Sequence, residues 1–152
     1  MPSEGSLQPD AILKIHLMLV DDEDDFREIL KKRMTQLGIS LSLAACCSNA
    51  LASMETQPAD VVIMDVAMPG MDGIHCLGKI KERWPLTEVV ILTGHASVKS
   101  GIEGMQRGAF DYCLKPINVM ELLEKVELAA QKTLVNKEEA PGNWAKLRNG
   151  CG

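Results

Sequence analysis

The chain has 152 residues, 46% apolar and 24% charged, with a net charge of −5. That size suits one domain around a single core, and the acidic excess argues against a nucleic-acid surface. No apolar run reaches the roughly 18 residues of a membrane span, and no basic-then-apolar leader opens the chain, so a cytoplasmic protein without membrane contact is expected.

Residues 1–13 hold Pro2, Gly5 and Pro9 and read as a flexible leader. Residues 15–20 form an apolar first strand that runs into Asp21-Asp22-Glu23. Phe26, Ile29, Leu30, Met34 and Leu37 then recur at helical spacing, and Gly38 closes that helix. A second strand spans 40–46. Ser48 is positioned to cap a short helix through Ala50, Leu51 and Met54, which Pro58 stops. Four apolar residues, 61–64, form a third strand that ends on Asp65 before the turn residues Pro69-Gly70 and Asp72-Gly73. Ile74, Leu77, Ile80 and Trp84 line a third helix. Residues 89–92 form a fourth strand ending at Thr93-Gly94, and Val98, Ile102 and Met105 mark a fourth helix. That helix contains Gly101 and Gly104, each costing roughly 1 kcal/mol against alanine. They mark either a marginal, movable helix or close packing against a neighbour.

Residues 110–114 form a fifth strand ending at Lys115-Pro116. Asn118 with Glu121 makes a capping box for a last helix to about residue 133. The tail, 134–152, lacks periodicity and reads as mostly disordered, with no room for an output domain. The five cysteines, Cys46, Cys47, Cys76, Cys113 and Cys151, include no C-x-x-C pair. They read as buried thiols, not as a disulfide framework or a zinc site.

Five strand–helix units imply an α/β fold, a (βα)5 doubly wound parallel five-stranded sheet. The flavodoxin-like strand order 2-1-3-4-5 is the expected solution at this size. Strands one, three, four and five would then deliver Asp21, Asp22, Asp65, Thr93 and Lys115 to one sheet edge. Clustered carboxylates resist ionising together. A hard divalent cation removes the conflict, and Mg²⁺ suits oxygen ligands best. Mn²⁺ is an acceptable substitute. Asp22 and Asp65 would bind directly and Asp21 directly or through water, with the Ala67 carbonyl offering a further oxygen once Pro69-Gly70 bends the loop. Lys115 adds positive charge and Thr93 a hydrogen-bond donor. Such a set suits phosphoryl transfer to a carboxylate.

Asp21-Asp22 after an apolar strand, Asp65 before Met68-Pro69-Gly70-Met71-Asp72-Gly73, Thr93 and Lys115-Pro116 together resemble the CheY-like receiver domain of two-component response regulators. The resemblance covers about residues 14–133. It implies that Asp65 accepts a phosphoryl group from a histidine kinase or histidine phosphotransfer protein in a Mg²⁺-dependent reaction. It implies a domain that catalyses only its own phosphorylation and slow dephosphorylation. It implies that Thr93 and Tyr112 form a switch, and that Ala67 and His95 tune the acyl-phosphate lifetime. Homodimerisation through the fourth helix, fifth strand and last helix is also implied. The Lys115-Pro116 bond is often cis in that family, whereas base rates favour trans.

Blander readings apply to single residues. Asp65 alone would be a cap or turn residue. Glu23, Asp24 and Asp25 suit the first turn of a helix. His16 and His75 look structural. Among rival functions, a phosphatase of the haloacid dehalogenase type needs a second aspartate two residues past the nucleophile, where this chain has Ala67. Turnover of small phosphoesters would favour that rival. A flavin carrier needs a Ser/Thr/Gly loop where Asp21–Asp25 stands. A phosphorylation-independent pseudo-receiver fits poorly with a complete acidic set.

Overall fold

A computed structural model describes residues 10–66, 73–93 and 98–138. Its elements are β1 (Leu17–Val20), α1 (Asp24–Gln36), β2 (Leu41–Ala44), α2 (Cys47–Thr56), β3 (Val61–Asp65), α3 (Gly73–Arg83), β4 (Glu88–Thr93), α4 (Val98–Gln106), β5 (Asp111–Leu114) and α5 (Val119–Glu138). The strands form one parallel sheet in the order β2-β1-β3-β4-β5. This is the expected CheY-like arrangement.

The near-continuous apolar strands follow from burial on both faces. Leu17, Leu19, Ile63, Val90 and Leu92 point to the side of Leu30 and Met34 of α1 and Leu122, Val126 and Ala130 of α5. The alternate residues Met18, Val20, Val62, Met64 and Ile91 meet Ala50 and Met54 of α2 and Leu77 and Ile80 of α3. A period of two along each strand thus feeds two cores.

Gly38 takes φ +77° after α1, and the Ile39 N–H returns to Met34 O at 2.9 Å, so the helix stops there. The Glu121 N–H donates to Asn118 Oδ1 at 3.1 Å, which caps α5. Gly104 answers the question posed by α4. A Cβ there would lie 2.1 Å from Ile91 Cδ1, a fully buried side chain. Close packing onto the sheet explains this glycine. The Lys115–Pro116 peptide is cis.

Four expectations need correction. The leader does not reach residue 13. Ala11 and Ile12 are buried, a 3-10 turn spans Ile12–Lys14, and Glu127 of α5 accepts the N–H groups of Ala11 and Ile12 at 3.2 and 3.0 Å. α5 continues past residue 133 to Glu138, because Thr133 donates to Leu86 O at 2.6 Å and Lys137 pairs with Asp60. Those anchors are polar, so apolar periodicity misses them. β2 ends at Ala44, and Cys46, not Ser48, is the N-cap of α2, without a side-chain capping bond. Finally, Cys47 and Cys76 are joined as a disulfide between α2 and α3, with 5.8 Å between their Cα atoms. Their separation of 29 residues is closed by helix packing, which no local spacing rule detects.

Candidate functional site

Parallel pairing sets Val20 beside Met64, so the residues that follow them leave the sheet together. Asp21 directly follows β1, and Asp65 ends β3. Both are buried, at 0% and 4% exposure, while Asp22 is open to solvent. One carboxylate oxygen from each of Asp21, Asp22 and Asp65 lies within 4.8 Å of the other two. The expected acidic cluster is therefore assembled.

Asp21 is held from several sides. Its N–H donates to Ala44 O at 3.1 Å, and its Oδ1 accepts the Glu23 N–H at 2.8 Å. Its carbonyl accepts Arg27 Nη1 at 2.7 Å. The remaining oxygen, Oδ2, accepts Lys115 Nζ at 2.7 Å. Lys115 follows β5 at the same sheet edge, and β4 and β3 stand between β5 and β1. It also donates to Glu23 Oε1 at 2.9 Å, lies 3.9 Å from Asp65 Oδ2, and sits over the Phe26 ring at 4.4 Å. Burial works to push its ammonium down. The hydrogen bonds to Asp21 and Glu23 and the charges of Asp65 and Asp21 outweigh that, so it titrates above the ordinary lysine value.

Asp65 is also fixed from below. Gly73 opens α3 and its N–H reaches Val66 O at 3.4 Å. A Cβ on Gly73 would stand 2.2 Å from Asp65 O and 2.6 Å from Val66 Cα, both backbone atoms that cannot turn aside. Only glycine lets α3 begin this close to the carboxylate's own peptide.

Thr93 ends β4 one step beyond the Asp65–Leu92 pair, with Leu114 as its partner on β5. Its backbone is therefore at the same edge. Tyr112 is 41% exposed; its ring packs near Gly101 and carries Lys125 at 5.6 Å. Ala67 and His95 lie outside the described residues, as does the turn at 68–72.

Sequence reasoning missed three contributors. Glu23 suits the first turn of a helix, yet its carboxylate shares Lys115; its place directly after two aspartates is the available signal. Phe26 is one of the helically spaced apolar residues of α1, and its ring floors the lysine. Gly73 fits a simple turn by sequence, but its need for glycine comes from the Asp65 backbone.

A parallel doubly wound sheet with carboxylates converging at the carboxyl ends of β1 and β3 places a binding site where open α/β sheets put theirs. The class this defines is a single α/β module with an acidic pocket fit for an oxygen-seeking cation. Residues 17–127 match the response regulator receiver domain, and the chain belongs to that family of two-component, CheY-like receivers. Receivers are signalling modules and generally not enzymes of independent turnover.

The chain is 35% identical over 111 residues to the DNA-binding transcriptional regulator NtrC of Klebsiella pneumoniae, covering 73% of this chain and 24% of that protein. It is 33% identical over 126 residues to a putative response regulator, NtrX-like, of Rickettsia bellii, covering 82% and 26%. Among solved structures, NtrX from Brucella abortus superposes with a TM-score of 0.76 at 27% identity, covering 82% of this chain and 28% of that one. A CheY-like receiver domain protein from Methanospirillum hungatei gives 0.75 at 26%, covering 80% and 97%. The chain thus spans about a quarter of the length of these curated relatives. No helix among the described residues is long and apolar enough to cross a membrane.

Proposed function

We propose that Asp65 accepts a phosphoryl group from a phosphohistidine on a sensor histidine kinase or histidine phosphotransfer protein, in the cytoplasm, and that the resulting charge switches the domain's surface. The observation that carries this reading is the convergence of Asp21, Asp22 and Asp65 with Lys115 at one sheet edge. The donors fit a hard divalent cation, since all three are carboxylates close enough to share one ion. Asp21, Asp22 and Asp65 would hold Mg²⁺, or Mn²⁺ in its place, with the Ala67 carbonyl as a further ligand. When bound, the cation neutralises charge on the phosphoryl oxygens.

The chain's own residues do the rest. A carboxylate oxygen of Asp65 forms the bond to phosphorus as the donor's P–N bond breaks, and the departing imidazole takes up a proton. Lys115 already stands 3.9 Å from Asp65 Oδ2, so its ammonium needs little movement to meet the incoming oxygens. The Thr93 hydroxyl bonds one of them, and Tyr112 follows inward. Ala67 and His95 set the lifetime of the acyl phosphate. The signal leaves through the face bearing Ile102, Met105, Tyr112, Leu114 and Met120, all exposed, which suits homodimerisation or an output partner. This segment acts by protein contact, not by binding nucleic acid itself.

Intact-mass measurement after acetyl phosphate and Mg²⁺ tests the reading. One phosphate adduct is expected in the wild type and none in Asp65→Asn. An adduct persisting in the variant would overturn Asp65 as acceptor.

A further inference from the structure

The Cys47–Cys76 disulfide lies outside the acidic site, and nothing in phosphoryl acceptance requires it. Its placement is informative. Cys47 is the first residue of α2, directly after the N-cap Cys46. Cys76 lies three residues into α3, on the turn that Gly73 begins. The bond therefore ties the start of α2 to the start of α3.

The start of α3 packs tightly against the Asp65 backbone. Gly73 leaves no space for a methyl group against Asp65 O and Val66 Cα. A small shift of this turn must move the backbone that carries the carboxylate. Cys76 sits one turn from that contact, and its side chain belongs to the same buried cluster as Met64 and Val66 of the β3 end.

Cys76 is fully buried, so an attacking group meets the bond at Cys47. Cys47 is 4% exposed, but Ser48 and Asn49 beside it are open to solvent, and Cys46 is half-buried. A thiolate released from Cys47 would sit at the N-terminus of a ten-residue helix, which favours the anion. The neighbouring Cys46 thiol is pulled below the usual thiol range by hydrogen bonds from the Ser48 side chain and the Asn49 and Ser48 amides, with burial opposing weakly.

We propose that Cys47–Cys76 is a thiol–disulfide exchange site for a dithiol reductant, and that its redox state sets how readily Asp65 accepts a phosphoryl group. The second clause rests on the function proposed above. In the exchange, a thiolate of the dithiol bonds to Cys47 Sγ as the Cys47–Cys76 bond breaks, and Cys76 leaves and is protonated. The dithiol's second thiol then attacks its own sulfur in the mixed disulfide and releases Cys47 as thiolate. The dithiol is oxidised by two electrons and the protein disulfide reduced by two. A disulfide oxidant reverses both steps. The oxidised form holds α3 against Asp65 in the accepting geometry, and reduction loosens it.

The test uses the whole chain, oxidised or reduced with dithiothreitol, with thiols counted by alkylation and mass. Oxidised protein should protect two thiols that reduction frees. Reduction should raise hydrogen–deuterium exchange over residues 73–78 at least threefold and slow phosphate uptake from acetyl phosphate at least threefold. Cys46→Ser should keep both responses, and Cys76→Ala should behave as permanently reduced. Should Cys76→Ala fail to fold, the wild-type redox pair carries the comparison alone. Equal exchange and equal uptake in both states would overturn the proposal, as would all five thiols remaining open to alkylation after oxidation. If neither state takes phosphate while exchange still responds, the coupling stands as far as α3 and the phosphoacceptor reading falls.

Discussion

The two edges of the sheet carry similar residue types arranged to opposite effect. At the amino edge, buried Glu88 faces Lys81 at 3.8 Å and Lys132 at 3.5 Å, and Asp60 pairs with Lys137 while accepting the His16 N–H at 2.9 Å. Thr87 and Thr133 donate to the carbonyls of Ala59 and Leu86. Carboxylates there meet cations one for one or better. At the carboxyl edge, Asp21, Asp22 and Asp65 crowd one another and Glu23 joins them around Lys115. The first edge spends its charges on closing the fold. The second keeps an excess of negative charge, which is a cost to stability and an invitation to a cation.

The sharpest way to break this contrast is to push the carboxyl edge apart sterically. Gly73→Ala should destabilise the fold by about 3 kcal/mol, the upper range for overpacking a tight site, and abolish phosphate uptake. Chemical denaturation and the adduct assay read the two effects. A divalent cation should do the reverse. Mg²⁺ at a hundred times its dissociation constant should stabilise the wild type by about 2.7 kcal/mol through linkage. Thermal melting should show that gain and show it lost in Asp22→Ala. At the amino edge, Glu88→Gln strips the partner from two lysines and should cost about 2 kcal/mol, with no change in Mg²⁺ response. Equal Mg²⁺ sensitivity at both edges would erase the distinction.

The smallest effect is in alkaline titration. Burial, with the Lys132 charge adding to it, pulls Lys81 below the ordinary lysine value despite Glu88, whereas Lys115 is held above it. Lys115 binds its proton more tightly folded than unfolded. Its contribution is complete below the ordinary lysine value and disappears as pH rises through its folded value. Lys81 has the opposite sign: folding is disfavoured while both states are protonated, and that penalty is relieved as pH rises through its lowered folded value. Nitrogen or side-chain carbon NMR shifts should therefore show Lys81 titrating before Lys115.

How much of this was visible in the chain depends on whether the cause is local. Strand–helix alternation and turn residues are local, so the sheet order and the meeting of Asp21, Asp22, Asp65 and Lys115 could be read directly. Glu127 capturing Ala11 and Ile12 spans more than a hundred residues, and Cys47 meets Cys76 only through helix packing. Neither leaves a periodic trace. Glu23 was adjacent to the evident aspartates, yet a helix-start reading explained it adequately until Lys115 was seen on its carboxylate. Gly73 looked like one more turn glycine because its demand comes from the Asp65 backbone, not from its own dihedral angles.

The carboxyl edge as a phosphoryl-acceptor site is tested most directly by locating the covalent phosphate. An acyl phosphate is reduced by borohydride to an alcohol, so an aspartate that carried one becomes homoserine and can be found by peptide mass mapping. After acetyl phosphate and Mg²⁺, homoserine is expected at position 65 and nowhere else. Homoserine at position 21 or 22, or none at any position while an adduct is present, would contradict Asp65 as the acceptor.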